Sequence, residues 1–473
     1  MAVFRLFCMS LFATLGLSGI LAACSTSTTK FEDSIKTTTV EKWEAPLPAI
    51  ENTTTLEKWW ASWNDPVLLA LQAHAQQHSP GIAQAGARIA QARAEASAAG
   101  APLWPNLDLN TSLKSNRDYP IPGAGRQTIR STGLDARWEI DLFGANFASR
   151  SSMLAHAEAR DSEWHDVSLS LAAEVANTYV ALRSCEAQLD AAEQIAQSQQ
   201  VSQGLQEQKA AAGFISPLEL AQQRASLANS VVQTQQQQTD CAVLLKALVV
   251  LIDQPEATLK DQLKSGHAIV PQAGNFVVDQ LPANALLKRP DLRASMQNLV
   301  ASAKDIDAAQ ARRYPSFSLL GTINILGIKV AGQTTDTHSW SFGPSLTLPI
   351  FDAGKRKADV DVALARHREA LAGFRHQSLL AVREVEEAML RLDLANTKLQ
   401  QHQHIENLHN MNTLATQAGW EFGSVNLLEK EEARRQQLAA QQQKWQNQRD
   451  RASAWIALYK AVGGDWQKPA DQP

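Results

Sequence analysis

The sequence is poor in aromatic residues and has no block of basic ones, and both absences limit what the protein can be. Aromatic side chains make up 6% of the 473 residues, although apolar residues make up 44%. Long stretches consist of Ala, Gln, Leu, Glu and Arg, which favours extended helical rods over one large globular core. Lys and Arg total 44 against 48 Asp and Glu, a net charge of −4. The electrostatic footprint of a nucleic-acid-binding protein is missing, and we exclude nucleic acid as a partner.

Motifs that mark enzymes and metal sites are also absent. The sequence has no Gly-x-x-x-x-Gly-Lys-Ser/Thr loop, no Gly-x-Ser-x-Gly elbow and no cysteine pair at zinc-ligand spacing. His402, His404 and His409 lie close together, but none of them is three or four residues from another. Only those two spacings make neighbours on a helix. We therefore expect no enzyme, no cofactor and no metal site, with these histidines on a solvated helical face; the alternative is that one of them is a metal ligand.

The only long apolar run is at the N-terminus. After Arg5 a charge-free run ends in Leu-Ala-Ala-Cys at residues 21–24, which is too short for a comfortable membrane span. This ending resembles the bacterial lipobox, so we expect residues 1–23 to be a signal peptide and Cys24 to be lipidated. Residues 24–63 then form a lipid-anchored segment, and Ser25 resembles the outer-membrane sorting pattern. The alternative is an ordinary cleaved signal followed by a chance cysteine.

The rest of the chain is duplicated. Three pairs of landmarks recur: Pro105 with Pro315, Phe143 with Phe351, and Gly213 with Gly423. Their separations of 210, 208 and 210 residues are too regular for coincidence. We predict a first repeat at 64–262 and a second at 281–473, joined by a linker at 263–280.

Each repeat contains two segments in which apolar and polar residues alternate. Leu134, Trp138 and Ile140, for example, alternate with Asp135 and Arg137. This period of two predicts a β-strand. The four predicted strands lie at about 105–114, 132–143, 315–326 and 339–351. Such strands suit a transmembrane barrel, but four cannot close one, so several chains would have to share it. The alternative is a soluble four-stranded sheet capped by helices.

The remaining segments are helical and unusually long. Helical hairpins are predicted at about 146–252 and 355–463, and their first helices contain no proline over 146–211 and 355–418. At 1.5 Å per residue each of these helices is a rod of roughly 100 Å. The hairpin tips are marked by Gly213 and Ser216 and by Gly423 and Asn426. Glycine permits the left-handed residue that ends a helix, and Ser or Asn caps the next one.

Several segments together resemble the outer-membrane factors of the TolC/NodT family. They are "WWASWNDPVLLALQAHAQQHSP" at 59–80, "LPANALLKRPDLRAS" at 281–295 with its Arg-Pro-Asp, and the two hairpin tips. The resemblance implies a mainly α protein with a transmembrane β part, in which a homotrimer forms a twelve-stranded barrel continuous with a periplasmic α-helical barrel.

By the same resemblance, the protein is the outer-membrane exit duct of a tripartite efflux pump. Its implied partners are a periplasmic adaptor protein, an inner-membrane transporter and outer-membrane lipid, and it conducts cargo passively. The alternative is a periplasmic coiled-coil adaptor, or a structural lipoprotein without a pore. The four alternating strands argue against both.

Two cysteines remain after the signal peptide and the lipidated residue are set aside. Cys185 and Cys241 are equidistant from Gly213 and continue apolar seams on the two helices of the first hairpin. An antiparallel hairpin sets them opposite each other in an oxidising compartment, so we predict a disulfide. The alternative is a pair of buried free thiols.

The family resemblance also implies a gate at the periplasmic entrance. In the family, two acidic residues three apart at the second hairpin tip narrow the lumen, and here they match Glu429 and Glu432. Glu219 matches the first of these positions in the first repeat. Residues three apart share a helical face, and a ring of carboxylates favours cations. The alternative is a solvated, internally paired run of charges.

Overall fold

The computed structural model describes residues 42–48, 56–120, 122–123, 125–278, 286 and 289–464. The predicted signal peptide and Cys24 lie outside these residues. The first repeat contains α1 (Pro66–His78), α2 (Pro80–Gly100), β1 (Asn106–Arg117), β2 (Arg126–Ile140), α3 (Ala145–Ala211), α4 (Pro217–Ile252) and α5 (Glu256–Leu263). The second contains α6 (Pro290–Ala311), β3 (Ser316–Val330), β4 (Gln333–Thr347), α7 (Lys355–Glu421) and α8 (Leu427–Ala461). Short 3-10 turns lie at Leu56–Lys58, Trp60–Trp63 and Ala101–Leu103.

The strands form one antiparallel sheet in the order β1-β2-β3-β4. Within the described residues, β1 and β4 each have one edge without a partner strand. Strand β2 begins at Arg126 and β4 at Gln333, earlier than the predicted 132 and 339. These added segments are rich in Thr, Ser and Arg, so they lack the apolar alternation on which the strand prediction depends.

The register gives the sheet one apolar and one polar face. Leu134 lies opposite Leu109 on one side and Ile323 on the other, and Ile323 lies opposite Trp340. One position along, Asp135 lies between Asp108 and Thr322, and Thr322 lies opposite Ser341. Because side chains alternate across a strand, the first row belongs to one face and the second to the other.

The helices form two long hairpins. α3 and α7 each have 67 residues, about 100 Å at 1.5 Å per residue. α3 packs against α4 and against α8, which packs against α7, so the lateral order is α4-α3-α8-α7. The shorter α2 and α6 also pack on α3. No helix within the described ranges is long and apolar enough to cross a membrane.

The main core lies where the N-terminal segment, α3, α8 and residues 263–278 meet. Trp59 is fully buried there, stacks on Tyr459 at 4.6 Å between ring centroids, and donates from Nε1 to the carbonyl of Gly274 at 2.6 Å. Phe276, from the predicted linker, packs edge-on against Trp59. The segment that joins the two repeats is therefore built into the core.

Candidate functional site at the hairpin tips

Both hairpins turn in the same way. Gly213 and Gly423 have φ of 76° and 74°, in the left-handed region that suits glycine. The N–H of Phe214 donates to the carbonyl of Lys209, and that of Ser424 to the carbonyl of Gly419, each at 2.8 Å. These six-residue loops are the Schellman closure, which satisfies carbonyls that a helix end leaves free.

The next helix at each tip begins with a capping box. The Ser216 hydroxyl accepts from the Glu219 N–H at 3.2 Å, and the Glu219 carboxylate accepts from the Ser216 N–H at 3.3 Å. Asn426 and Glu429 make the same two bonds at 3.0 and 3.1 Å. Two residues predicted for the gate thus help to start α4 and α8. The spacing Ser/Asn-x-x-Glu is the signal that could have identified this role from the sequence.

Glu432 belongs to a polar contact between the two hairpins. Its carboxylate accepts from Arg435 at 2.7 and 3.2 Å, and this bond lowers the pKa of Glu432 against the opposing effect of partial burial. Arg435 also donates from Nη1 to the hydroxyls of Ser198 and Ser202 on α3, both at 3.0 Å. Arg435 therefore joins the second hairpin to the first through buried serines.

Glu431 is a buried acid that the sequence did not single out. It is only 4% exposed, and its Oε2 has no hydrogen-bond partner among the described residues. Its backbone carbonyl accepts from the Ser198 hydroxyl at 3.3 Å. The run of charges at 429–435 is therefore not uniformly solvated, because Glu431 faces α3 while Glu429 and Glu432 are exposed.

Glu429 and Glu432 line one cleft between the hairpins. The cleft has a volume of about 580 Å³ and a mostly polar lining that includes Gln206, Gln223, Asn412, Thr416 and Arg435. Glu219 is not among the described residues that line it. The structure thus brings two of the three predicted gate carboxylates together and leaves the third at the other tip.

The two cysteines of the first hairpin are joined. Cys185 on α3 and Cys241 on α4 form a disulfide with their Cα atoms 5.6 Å apart. His402, His404 and His409 lie on α7. No group of three or more His, Cys, Asp or Glu side chains in the described part of the chain is placed to hold a metal ion.

The Arg-Pro-Asp segment is a buried junction of three helices. Arg289 lies just before α6 and donates to Asp291 at 2.8 and 3.0 Å, to Glu384 of α7 at 2.7 Å, and to the carbonyl of Ala461 in α8 at 2.9 Å. Burial acts to raise the pKa of Asp291, but the bonds and charge of Arg289, with a bond from Gln377, outweigh it and lower the pKa. The role of this segment is therefore structural.

A family model described as "Outer membrane efflux protein" matches residues 71–252 and 281–464. The chain belongs to the outer membrane efflux protein family. The two matched segments of this efflux protein start 281 − 71 = 210 residues apart, the separation of the two tip glycines. The alternatives of an adaptor and of a lipoprotein without a pore are set aside.

Named relatives of this efflux protein cover nearly its whole length. The pyoverdine export outer membrane protein OpmQ of Pseudomonas putida is 30% identical over 474 residues, covering 97% of this chain and 98% of the relative. OpmQ of Pseudomonas aeruginosa is 28% identical over 468 residues, 95% of each chain. The cation efflux system protein CusC of Escherichia coli is 26% identical, covering 87% of this chain and 88% of CusC.

Solved structures have the same fold. The outer-membrane channel OprN is 25% identical with a TM-score of 0.75, covering 91% of this chain and 98% of OprN. The CmeC channel of Campylobacter jejuni is 22% identical with a TM-score of 0.76, covering 90% and 92%, and shows the fold alone. The predictions of the family, of an outer-membrane efflux function, and of a mainly helical fold with an antiparallel sheet are confirmed.

Proposed function

We propose that three copies of this efflux protein form one outer-membrane channel, the passive exit duct of a tripartite pump. The observation that carries the proposal is the open four-stranded sheet at the end of helices of about 100 Å. Even small barrels need about eight strands, and an unpaired edge does not occur in lipid. Three copies supply 3 × 4 = 12 strands, with β4 of one copy pairing with β1 of the next.

The exposed apolar face of the sheet supports a position in lipid. Leu109, Trp340 and Phe342 on this face are 69%, 79% and 72% exposed in the single chain. Large apolar side chains in such a continuous array mark a surface that is covered in the working state. An apolar outer face and a polar inner face are typical of a membrane barrel that encloses water.

The helical layer supports the same three-fold closure. Among the described long helices of the hairpins, the lateral order gives α4 and α7 a neighbour on one side only, and the segment at Glu44 contacts α7 at Glu386. Both helices carry exposed apolar side chains, among them Val232 and Val243 on α4 and Leu408 and Leu414 on α7. A three-fold rotation places α7 of one copy against α4 of the next, the head-to-tail contact that closes a ring.

Lipidation of Cys24 anchors each copy to the outer membrane. The hairpin tips contact the adaptor through the turns at Gly213, Ser216, Gly423 and Asn426. The adaptor links the duct to an inner-membrane transporter. The names of relatives mention pyoverdine, toluene, solvent and cations. This variety of cargo on one fold supports a passive duct whose selectivity comes from the transporter.

The assembly has a direct test. The complex extracted in mild detergent is expected to have three times the mass of one mature chain and to form conducting pores in a planar bilayer. A chain that stays monomeric under gentle extraction, or a trimer that never conducts, contradicts the proposal.

We also propose that Glu429 and Glu432 form a cation-attracting gate when three copies surround the pore. Glu432 is paired with Arg435, so most of the net negative field comes from Glu429. Wild-type channels are expected to be cation-selective and blocked by multivalent cations from the periplasmic side. Glu429→Gln is expected to lower both effects severalfold, and more than Glu432→Gln does, in single-channel recordings.

The glutamine substitution isolates charge from structure. Glutamine at the third helical position still completes a capping box, so α8 keeps its start. Glu219→Gln makes the same change at the first tip, outside the cleft, and is expected to leave block nearly unchanged. Unaltered block in Glu429→Gln, or equal loss in Glu219→Gln, would assign Glu429 to helix capping alone.

A further inference from the structure

The apolar face of the sheet ends in positive charge at the hairpin end of the strands. On this face of β2, every second residue from Ile140 back to Leu134 is apolar. After Thr132 the same row continues with Arg130, Thr128 and Arg126. Arg130 lies four residues from Leu134, about 13 Å along the strand, and Arg126 lies eight residues from it, about 26 Å.

Neighbouring strands place more cations on this row. Arg117 of β1 lies opposite Arg126, and Lys329 of β3 lies opposite Thr128. Because residues opposite each other in a sheet share a face, Arg117, Arg126 and Lys329 lie on the side that carries Leu134 and Trp340. All three are exposed. We call them the rim cations.

Arg130, one step nearer the apolar band, is neutralised. Its guanidinium donates to both carboxylate oxygens of Asp336 at 2.8 Å, reaching over the backbone of β3 from β2 to β4. The ion pair crosses at Gly327, where an added Cβ would lie 2.4 Å from Arg130 Nε and 2.6 Å from Asp336 Oδ1. The glycine makes room for a neutral pair at the edge of the apolar band.

The surroundings of the rim cations differ from those of Arg130. Among the residues that the structure describes, no carboxylate lies within ion-pair distance of Arg117, Arg126 or Lys329. Arg126 donates from Nε to the Ser115 hydroxyl at 3.1 Å. This bond uses one of its guanidinium N–H groups, and the others take no part in it. The nearby Asp118 carboxylate instead accepts from the Gly125 N–H in the hairpin turn.

The position of the rim cations indicates which part of the membrane they contact. The hairpin ends of the strands point away from the helices, so they lie at the outer leaflet of the outer membrane. Cations on a lipid-facing surface are stabilised at the depth of anionic head groups and destabilised within the hydrocarbon. Arg and Lys are also the side chains that bind phosphate oxygens.

We propose that Arg117, Arg126 and Lys329 bind the phosphate groups of an outer-leaflet lipid, one site on each copy of the chain. The inference rests on the proposed function, in which the sheet spans the outer membrane with its apolar face toward lipid. The lipid head group fixes the height of the sheet in the membrane, and Arg130 with Asp336 marks the border of the hydrocarbon.

Lys114 is a matched control. It lies opposite Ile129, one residue from the row of Lys329 and three residues, about 10 Å, from the row of Arg117 and Arg126. Its position in the alternation places it on the polar face with Ser112 and Asn110. A lysine of equal charge in the same polar end of the strands thus points toward the lumen instead of lipid.

The test uses the full-length trimer in neutral detergent, mixed with diphosphoryl lipid A or with the same glycolipid after phosphate removal. Native mass spectrometry counts the lipids retained. The wild type is expected to retain the phosphorylated lipid at least about tenfold better, since two charged contacts suffice for that difference. The triple variant Arg117→Gln, Arg126→Gln, Lys329→Gln is expected to lower its retention by about a hundredfold. Lys114→Gln is expected to match the wild type.

Three outcomes overturn the inference: equal retention by the triple variant, equal retention of the dephosphorylated lipid, and displacement of lipid A by millimolar inorganic phosphate. Conductance in a bilayer of neutral lipid separates this test from that of the channel. A triple variant that conducts normally but loses lipid A supports the inference. A wild type that neither forms trimers nor conducts rejects the proposed channel itself.

Discussion

Removal of the Cys185–Cys241 disulfide is expected to lower the free energy of unfolding by about 4 kcal/mol at equal chain concentration. The bridge spans 56 residues of sequence and joins the two helices of the first hairpin. By loop-closure entropy, a cross-link of that span removes much of the freedom of the unfolded chain. The double variant Cys185→Ala, Cys241→Ala keeps small apolar side chains at both positions, so its loss reports the bond.

Guanidinium unfolding of the double variant and of the reduced wild type is expected to give the same loss. The second hairpin provides an internal control, because the positions 210 residues further on carry Ala395 and Arg451. There Arg451 donates to Asn396 at 2.8 Å, and no covalent bond is involved. Hydrogen exchange is expected to accelerate in α3 and α4 and not in α7 and α8. Equal stability of oxidised and reduced protein would contradict the prediction.

Replacement of Arg289 with alanine is expected to destabilise the protein by about 3 kcal/mol. The change leaves Asp291 buried without its guanidinium and removes the bond to the Ala461 carbonyl. The expected loss is at the low end of the range for a broken buried ion pair, because Gln377 still donates to Asp291 at 2.7 Å and Glu384 is partly exposed. Unfolding followed by tryptophan fluorescence measures it.

Two further variants test whether the loss of stability in Arg289→Ala comes from charge. Arg391→Ala, which removes an exposed partner of Glu387 on α7, is expected to cost less than about 0.5 kcal/mol. Arg289→Met with Asp291→Asn is expected to recover part of the loss, because no buried carboxylate is left without a partner and Glu384 is partly exposed. A double variant no better than Arg289→Ala would show that packing, and not charge, holds this junction.

The junction of Arg289 and Asp291 makes the free energy of unfolding depend on pH in the acid range. The folded pKa of Asp291 is lowered, so its contribution is present above the unfolded pKa of about 3.9 and is lost as pH falls through the folded value. Burial, with the nearby Asp291 charge, raises the pKa of Asp166. Asp166 therefore lowers the stability of the folded state as pH rises above about 3.9, which is opposite to the effect of Asp291. Arg289→Ala is therefore expected to flatten the loss of stability below about pH 4.

The overall plan was predictable because it depends on periodicity and repetition. The repeated landmarks and the alternating strands indicated the mainly helical fold, and the segments at 59–80 and 281–295 with the two hairpin tips indicated the family. The polar ends of β2 and β4 were missed because Thr, Ser and Arg alternate without an apolar signal. Their strand form depends on ladder bonds to β1 and β3, which neighbours along the chain do not reveal.

The candidate site was predictable only in part. The capping role of Glu219 and Glu429 was readable from their spacing to Ser216 and Asn426. The burial of Glu431 was not, since it depends on packing against α3, whose Ser198 lies 233 positions away in the sequence. Arg435 was missed for the same reason, because its partners Ser198 and Ser202 lie on the other hairpin.

The two unpaired edges of the sheet also govern how the proposed channel is made. A single copy cannot enter the bilayer alone, because each backbone group on the edges of β1 and β4 would lose its water partner without gaining another. In the proposed channel, association and insertion are therefore one kinetic event. Its rate depends on more than the first power of the chain concentration, and copies waiting in the periplasm carry two strand edges that must be kept from pairing with other proteins.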